Sequence, residues 1–209
     1  MRNFLLFSVL IISAHTIFAQ QVKMSATEIA AFKTQVEASS RSTETIKSDF
    51  VQYKHLDFLD NDIKTSGKLV FKAPGLVKWE YTDPYIYSVI FKGDELLIND
   101  SGTKSKVDIG SSKMFKKLNQ LIINSVKGNM FDDADFDITY LKTPTSNKAI
   151  FIPKDKKLIA YIASFELLFN NKDATVEEVK MIEPSEDYTR IVFKNRELNT
   201  PIDDAVFSN

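Results

Sequence analysis

The chain has 209 residues, with 27 lysines and arginines against 28 acids and a formal net charge of −1. Without a basic excess it carries no electrostatic footprint for nucleic acid. It has no cysteine, which excludes disulfides, a thiol nucleophile and the acylated cysteine of a lipoprotein, so a packed core must hold it together.

Met1-Arg2-Asn3 is a short basic segment, Phe4 to Ile12 is an apolar run, and Ile17-Phe18-Ala19 resembles a signal-peptidase site before Gln20. The run is too short to span a bilayer as a mature helix. The expectation is a cleaved secretory signal over 1–19 and a single soluble domain over 20–209. Loss of Arg2 leaves 26 basic residues against 28 acids, a net charge of −2.

Ser25-Ala26-Thr27-Glu28 reads as a capping box. Ile29, Phe32 and Val36 follow at helical spacing, which predicts an amphipathic helix over 26–40. A first strand is expected from Ile46 to Leu56, with Asp60-Asn61-Asp62 turning the chain.

Ser66 to Pro84 alternates with period two. Leu69 and Phe71 share one face and Lys68 and Lys72 the other. After Pro74-Gly75, Val77, Trp79 and Tyr81 share a face opposite Lys78 and Glu80. Two strands, each with one apolar and one wet face, are expected, and Pro84 ends the second.

Tyr85 to Phe91, Leu96 to Asn99 and Lys106 to Ile109 continue the strands, with turns at Gly93-Asp94 and Ser101-Gly102. The period then changes. Met114, Leu118, Leu121, Ile122 and Val126 predict a second amphipathic helix, with Ser112 able to cap it and Gly128 able to end it. Asn129 to Asp135 is irregular and acidic.

Strands resume at Phe136–Leu141, Ala149–Ile152, Phe165–Phe169, Val176–Glu183 and Tyr188–Lys194. Leu158 to Ile162 is compatible with a short helix or a strand. The whole reads as mainly β (α+β). A sheet of roughly ten or more antiparallel strands tends to curl. An unclosed antiparallel β-barrel is expected, with helices covering its concave side.

Motifs for chemistry are nearly absent. No nucleophile elbow, phosphate loop or dinucleotide fingerprint occurs. Asp60-x-Asp62 fails as a calcium loop, because Thr65 and Phe71 stand where glycine and glutamate are needed. Asp132, Asp133, Asp135 and Asp137 read as a solvated loop, and His55 as a surface residue. No cofactor and no metal are expected.

The aromatic alternation admits two readings: a filled core or the wall of an apolar cavity. Met114, an adaptable side chain on a broadly apolar helix, favours the cavity. Phe50, Leu69, Phe71, Trp79, Phe91, Phe165, Met181 and Phe193 are then expected to line it. Met114, Leu118 and Leu121 would form a lid, and Lys113, Lys116 and Lys117 would lie on the lid's far side.

Several local motifs occur in one order: Phe50-Val51-Gln52, Gly67-x-Leu69-x-Phe71, Pro74-Gly75, Trp79-Glu80-Tyr81, Pro84, Gly93-Asp94, Phe151-Ile152-Pro153-Lys154, Asp187-Tyr188-Thr189 and Phe193-Lys194-Asn195. In that order and spacing the chain, from about Ile46 to Phe207, resembles the LolA-type periplasmic carriers of outer-membrane lipoproteins. The resemblance implies an unclosed barrel with a helical lid, acylated lipoproteins or other lipids as cargo, and no reaction; a carrier of a lipid-linked precursor, or a non-transporting sensor or adaptor domain of the same fold, is the alternative. It implies an inner-membrane ABC exporter and an outer-membrane acceptor as partners, with a monomer working in the periplasm between them. Such carriers latch the lid with an arginine just before the signature proline. Here that position is Ala73, and Lys72 before it should point to the other face. The lid would then be held by burial of Leu118 and Leu121.

Overall fold

The computed structural model describes residues 21–109, 124 and 134–208. The expected signal segment, the helix of Met114, Leu118 and Leu121, the lysines Lys113, Lys116 and Lys117, and Asp132 and Asp133 lie outside the described residues.

The chain opens with a two-residue strand β1 (Val22–Lys23) and the helix α1 (Ala26–Arg41). The capping box is complete: Ser25 N donates to Glu28 Oε2 at 2.9 Å, and Glu28 N donates to Ser25 Oγ at 3.4 Å. Then come β2 (Thr45–His55), β3 (Ile63–Lys72), β4 (Leu76–Asp83), β5 (Tyr87–Lys92), β6 (Glu95–Asp100) and β7 (Thr103–Asp108). After the undescribed stretch follow β8 (Phe136–Lys142), β9 (Ser146–Pro153), a short α2 (Lys156–Ile159), β10 (Ser164–Asn170), β11 (Val176–Ile182) and β12 (Tyr188–Leu198). A 3-10 turn at Asp204–Phe207 ends the fold.

The helix-or-strand ambiguity near Leu158 resolves as α2, started by Asp155, whose carboxylate accepts from Lys157 N at 2.8 Å. The strand expected from Tyr85 begins at Tyr87 instead. The bend after Pro84 turns Tyr85 and Ile86 out to solvent. Pro74 and Pro84 both follow cis peptide bonds.

All twelve strands form one sheet in the order β1-β8-β9-β10-β11-β12-β2-β3-β4-β5-β6-β7, antiparallel throughout. Two meanders are thus joined where β12 pairs with β2. The edge strands β1 and β7 do not pair with each other, so the barrel is unclosed. Edge β7 is exposed along its length and carries Lys104 and Lys106, charges that oppose pairing with a foreign strand. The hairpin from β6 to β7 turns through Ser101 at φ +50 and Gly102 at φ +99, the two left-handed residues that a tight hairpin needs.

Burial falls into three groups. Under α1, Phe32 and Val36 pack on Tyr140, Phe151, Leu167 and Phe169 from β8, β9 and β10. Phe32 meets Phe169 edge to face at 5.1 Å. A second cluster joins Ile46, Phe50, Leu69, Phe71 and Val77 on the inner face of β2 to β4. The third lies on the outer face, where Ile202 and Phe207 of the C-terminal segment cover Ile90.

Gly67 is what lets the second cluster close. It stands opposite Phe50 across β2 and β3. A Cβ there would come within 1.9 Å of Glu80 O and 2.8 Å of Phe50 Cζ. Glycine leaves room for the ring and for the neighbouring strand.

Candidate functional site

Inner faces that are distant in sheet order meet at one cavity. Leu96 on β6 and Phe165 on β10 both line it, which requires the sheet between them to curl around. The cavity measures about 470 Å³. One wall is Leu69, Trp79, Tyr81, Val89 and Phe91 from β3, β4 and β5. The other is Phe165, Leu167, Val179, Met181, Ile191 and Phe193 from β10, β11 and β12. Val36 of α1 also faces the cavity.

Strand periodicity explains this lining. Residues 79 and 81, residues 87, 89 and 91, and residues 189, 191 and 193 face inward on alternate positions, with Lys78 and Glu80 of β4 and Arg190 and Lys194 of β12 on the outer face. On the outer face Arg190 pairs with Glu178 at 2.7 Å and Lys78 with Glu80 at 3.1 Å.

Of the residues expected to line a cavity, Leu69, Trp79, Phe91, Phe165, Met181 and Phe193 do so. Phe50 and Phe71 do not: they are 1% and 0% exposed, packed into the inner-face cluster behind the lining. Phe50 supports it from there, with its ring 4.6 Å from Trp79 and 5.3 Å from Tyr81. Trp79 in turn meets Phe193 edge to face at 6.1 Å. Leu69, Trp79, Phe91 and Phe193 thus belong to or pack on the cluster of Phe50 and Phe71, while Phe165 and Met181 pack on the cluster under α1.

The polar lining is sparse and sits toward the two ends. At one end Tyr81 Oη donates to Gln52 Oε1 at 3.0 Å, and burial pushes the phenol's pKa up. At the other, where β2 begins and β12 ends, are Ser39, Ser40, Thr43, Thr175 and Arg196. Sequence reasoning missed Arg196, because alternation counted from Phe193 places it outside.

The groups weighed for chemistry have ordinary structural partners. His55 Nδ1 lies 2.9 Å from Asp62 Oδ1, and its ring stacks on Tyr188 at 4.7 Å. Asp137 pairs with Lys154 at 3.2 Å. Among the described residues no group of three or more histidine or acidic side chains could hold a metal ion, and no helix is long and apolar enough to cross a membrane.

Comparison with known proteins agrees with this architecture. The family model described as outer membrane lipoprotein carrier protein LolA matches residues 41–209. No curated protein matches the chain. Among solved structures, an uncharacterized conserved protein from Thermus thermophilus superposes with a TM-score of 0.54 at 9% identity, covering 86% of this chain and 92% of that one. The Mycobacterium tuberculosis lipoprotein LppX superposes with a TM-score of 0.50 at 10% identity, covering 86% and 99%. A chain of the Pseudomonas aeruginosa MucA/MucB complex gives 0.49 at 10% identity, covering 87% and 61%.

Proposed function

Because the chain belongs to the LolA family, we propose that it is a periplasmic carrier that shields lipoprotein acyl chains in this cavity between the inner and the outer membrane. An inner-membrane ABC exporter would load it and an outer-membrane acceptor would unload it. The leader over 1–19 would direct its export.

The observation that carries this reading is the cavity itself: about 470 Å³, lined on both walls by apolar side chains of one curled sheet. That volume falls within the roughly 300–1,000 Å³ of small-molecule sites. An acyl chain of about sixteen carbons left in water costs roughly 12 kcal/mol, at about 0.8 kcal/mol per methylene. An apolar wall offsets most of that without any directional bond, so the chain is held yet can slide out to an acceptor. Carriage needs no covalent step, and the sparse polar lining suits binding better than catalysis.

Mass spectrometry of lipids and lipoproteins that co-purify from the periplasm tests this. Acylated species should be recovered with the protein, and replacing Leu167, on the cavity wall, by tryptophan should deplete them. Recovery of the folded protein without any acylated species would refute the carrier.

A further inference from the structure

Among the described residues one basic side chain, Arg196, lines the mainly apolar cavity, and a specific irregularity puts it there. On β12 the residues facing the cavity are Thr189, Ile191 and Phe193, then Arg196 and Leu198. Strict alternation would send Asn195 inward and Arg196 outward. Pairing with β2 instead passes from Lys194↔Asp49 to Glu197↔Lys47, so Asn195 and Arg196 together oppose Ser48. This is a β-bulge, the device that re-aims a side chain. Asn195 absorbs the extra residue at φ +50, and its Nδ2 donates to Asp49 Oδ2 at 2.8 Å on the outer face. Ser48 Oγ closes the bulge from within, donating to Lys194 O at 2.9 Å.

The guanidinium is only partly satisfied. One Nη donates to the carbonyl of Val176, at the point where β11 has parted from β12. Nε has no protein partner. No carboxylate pairs with it among the described residues. The nearest acids are engaged elsewhere: Asp173 accepts from Thr175, and Glu177 accepts from Asn170. Burial pushes the Arg196 pKa down, yet a guanidinium stays protonated. A clasp between two strands needs a single donor. The guanidinium lies half-buried 5.6 Å over the Phe193 ring, and a permanently charged fork with its Nε buried and unbonded is better satisfied when an anion joins it.

We infer that Arg196 anchors the acidic headgroup of an amphiphile whose acyl chain lies along the apolar wall. The recognised chemistry is a carboxylate or phosphate on a single-chain lipid. This rests on the reading of the cavity as an acyl-chain site and goes beyond it by naming a second ligand class, a single-chain acidic lipid, beside the lipoprotein acyl chains.

Equilibrium binding to the full mature chain decides it, using two pairs of probes at a pH where the acids are ionised. Hexadecanoic acid is set against hexadecanol, and lysophosphatidic acid against monoacylglycerol. At least one acidic probe should bind about tenfold tighter than its neutral partner, the size of one charge-assisted hydrogen bond. The pair that shows the preference tells carboxylate from phosphate. Arg196→Met should erase the preference while still binding the neutral probe, and Arg196→Lys should keep part of it. Equal binding of acid and neutral probes by the unaltered chain overturns the anchor and leaves the carrier standing, and needs no variant to fold. A preference that survives Arg196→Met overturns it as well. Binding of neither member of either pair also overturns the anchor, and the recovery of acylated lipoproteins then judges the carrier reading on its own.

Discussion

Lys72 Nζ lies 3.0 Å from the carbonyl oxygen of Ile202 and also pairs with the Asp204 carboxylate. The lysine one residue before Ala73 therefore faces away from the cavity and ties the C-terminal segment to the outer wall. Lys72→Ala should leave acyl binding unchanged. Hydrogen exchange of residues 199–208 should become faster. The Lys72 ammonium also holds the Asp204 carboxyl below its usual range. A depressed acid contributes while it is ionised, so the tether should loosen as pH falls through that lowered value. Loss of acyl binding in Lys72→Ala would contradict this placement.

The same segment offers a way to separate stability from binding. Phe207 is 0% exposed and sits on the outer face with Ile90 and Ile202. Phe207→Ala should cost about 3–5 kcal/mol in denaturant unfolding. Acyl affinity of the protein that remains folded should not move.

Gly67→Ala should be among the most damaging single-methyl changes in the sheet. The new Cβ would overlap Glu80 O, a backbone atom that cannot step aside, and would press on the Phe50 ring. A loss of about 3 kcal/mol is expected from such overpacking. Urea denaturation measures it, and a change within error would mean that β3 and β4 can separate at no cost.

Glu28 predicts an acid-side effect. Hydrogen bonds from Lys142, then from Ser25, bring its pKa from 4.5 to about 2. The folded value lies below the unfolded one, so the contribution is complete above about pH 4.5. It is lost as pH falls toward 2. Melting curves across that window should show a slope that Glu28→Gln flattens. An unchanged slope would mean that the capping box and the Lys142 contact do not outlast hydration at this exposed site.

How much of this was legible in the sequence depends on whether the signal was local. The capping box at Ser25 and the alternation of Leu69, Trp79 and Phe91 were legible, because helix start and strand period are short-range patterns. Phe50 and Phe71 fit the same alternation yet are packed behind the lining. Which inward residues meet open space depends on curvature, which no single strand encodes. The room Gly67 leaves for Phe50 is a matter of register between two strands. Arg196 was hidden for the opposite reason: one inserted residue at Asn195 reverses the phase that alternation assumes. The C-terminal segment has no periodicity at all, and its place is set by Lys72 and by burial of Phe207.

The central claim is that the inner wall of the curled sheet takes up acyl chains. Equilibrium dialysis of a labelled, acylated lipopeptide against the protein comprising residues 20–209, beside the same peptide without its acyl chains, tests it most directly. Saturable retention of the acylated peptide alone is predicted, weakened at least tenfold when Val89 on the cavity wall is replaced by glutamate, since a buried unpaired carboxylate costs well over about 1.4 kcal/mol. Equal retention of both peptides, or of neither, would contradict it.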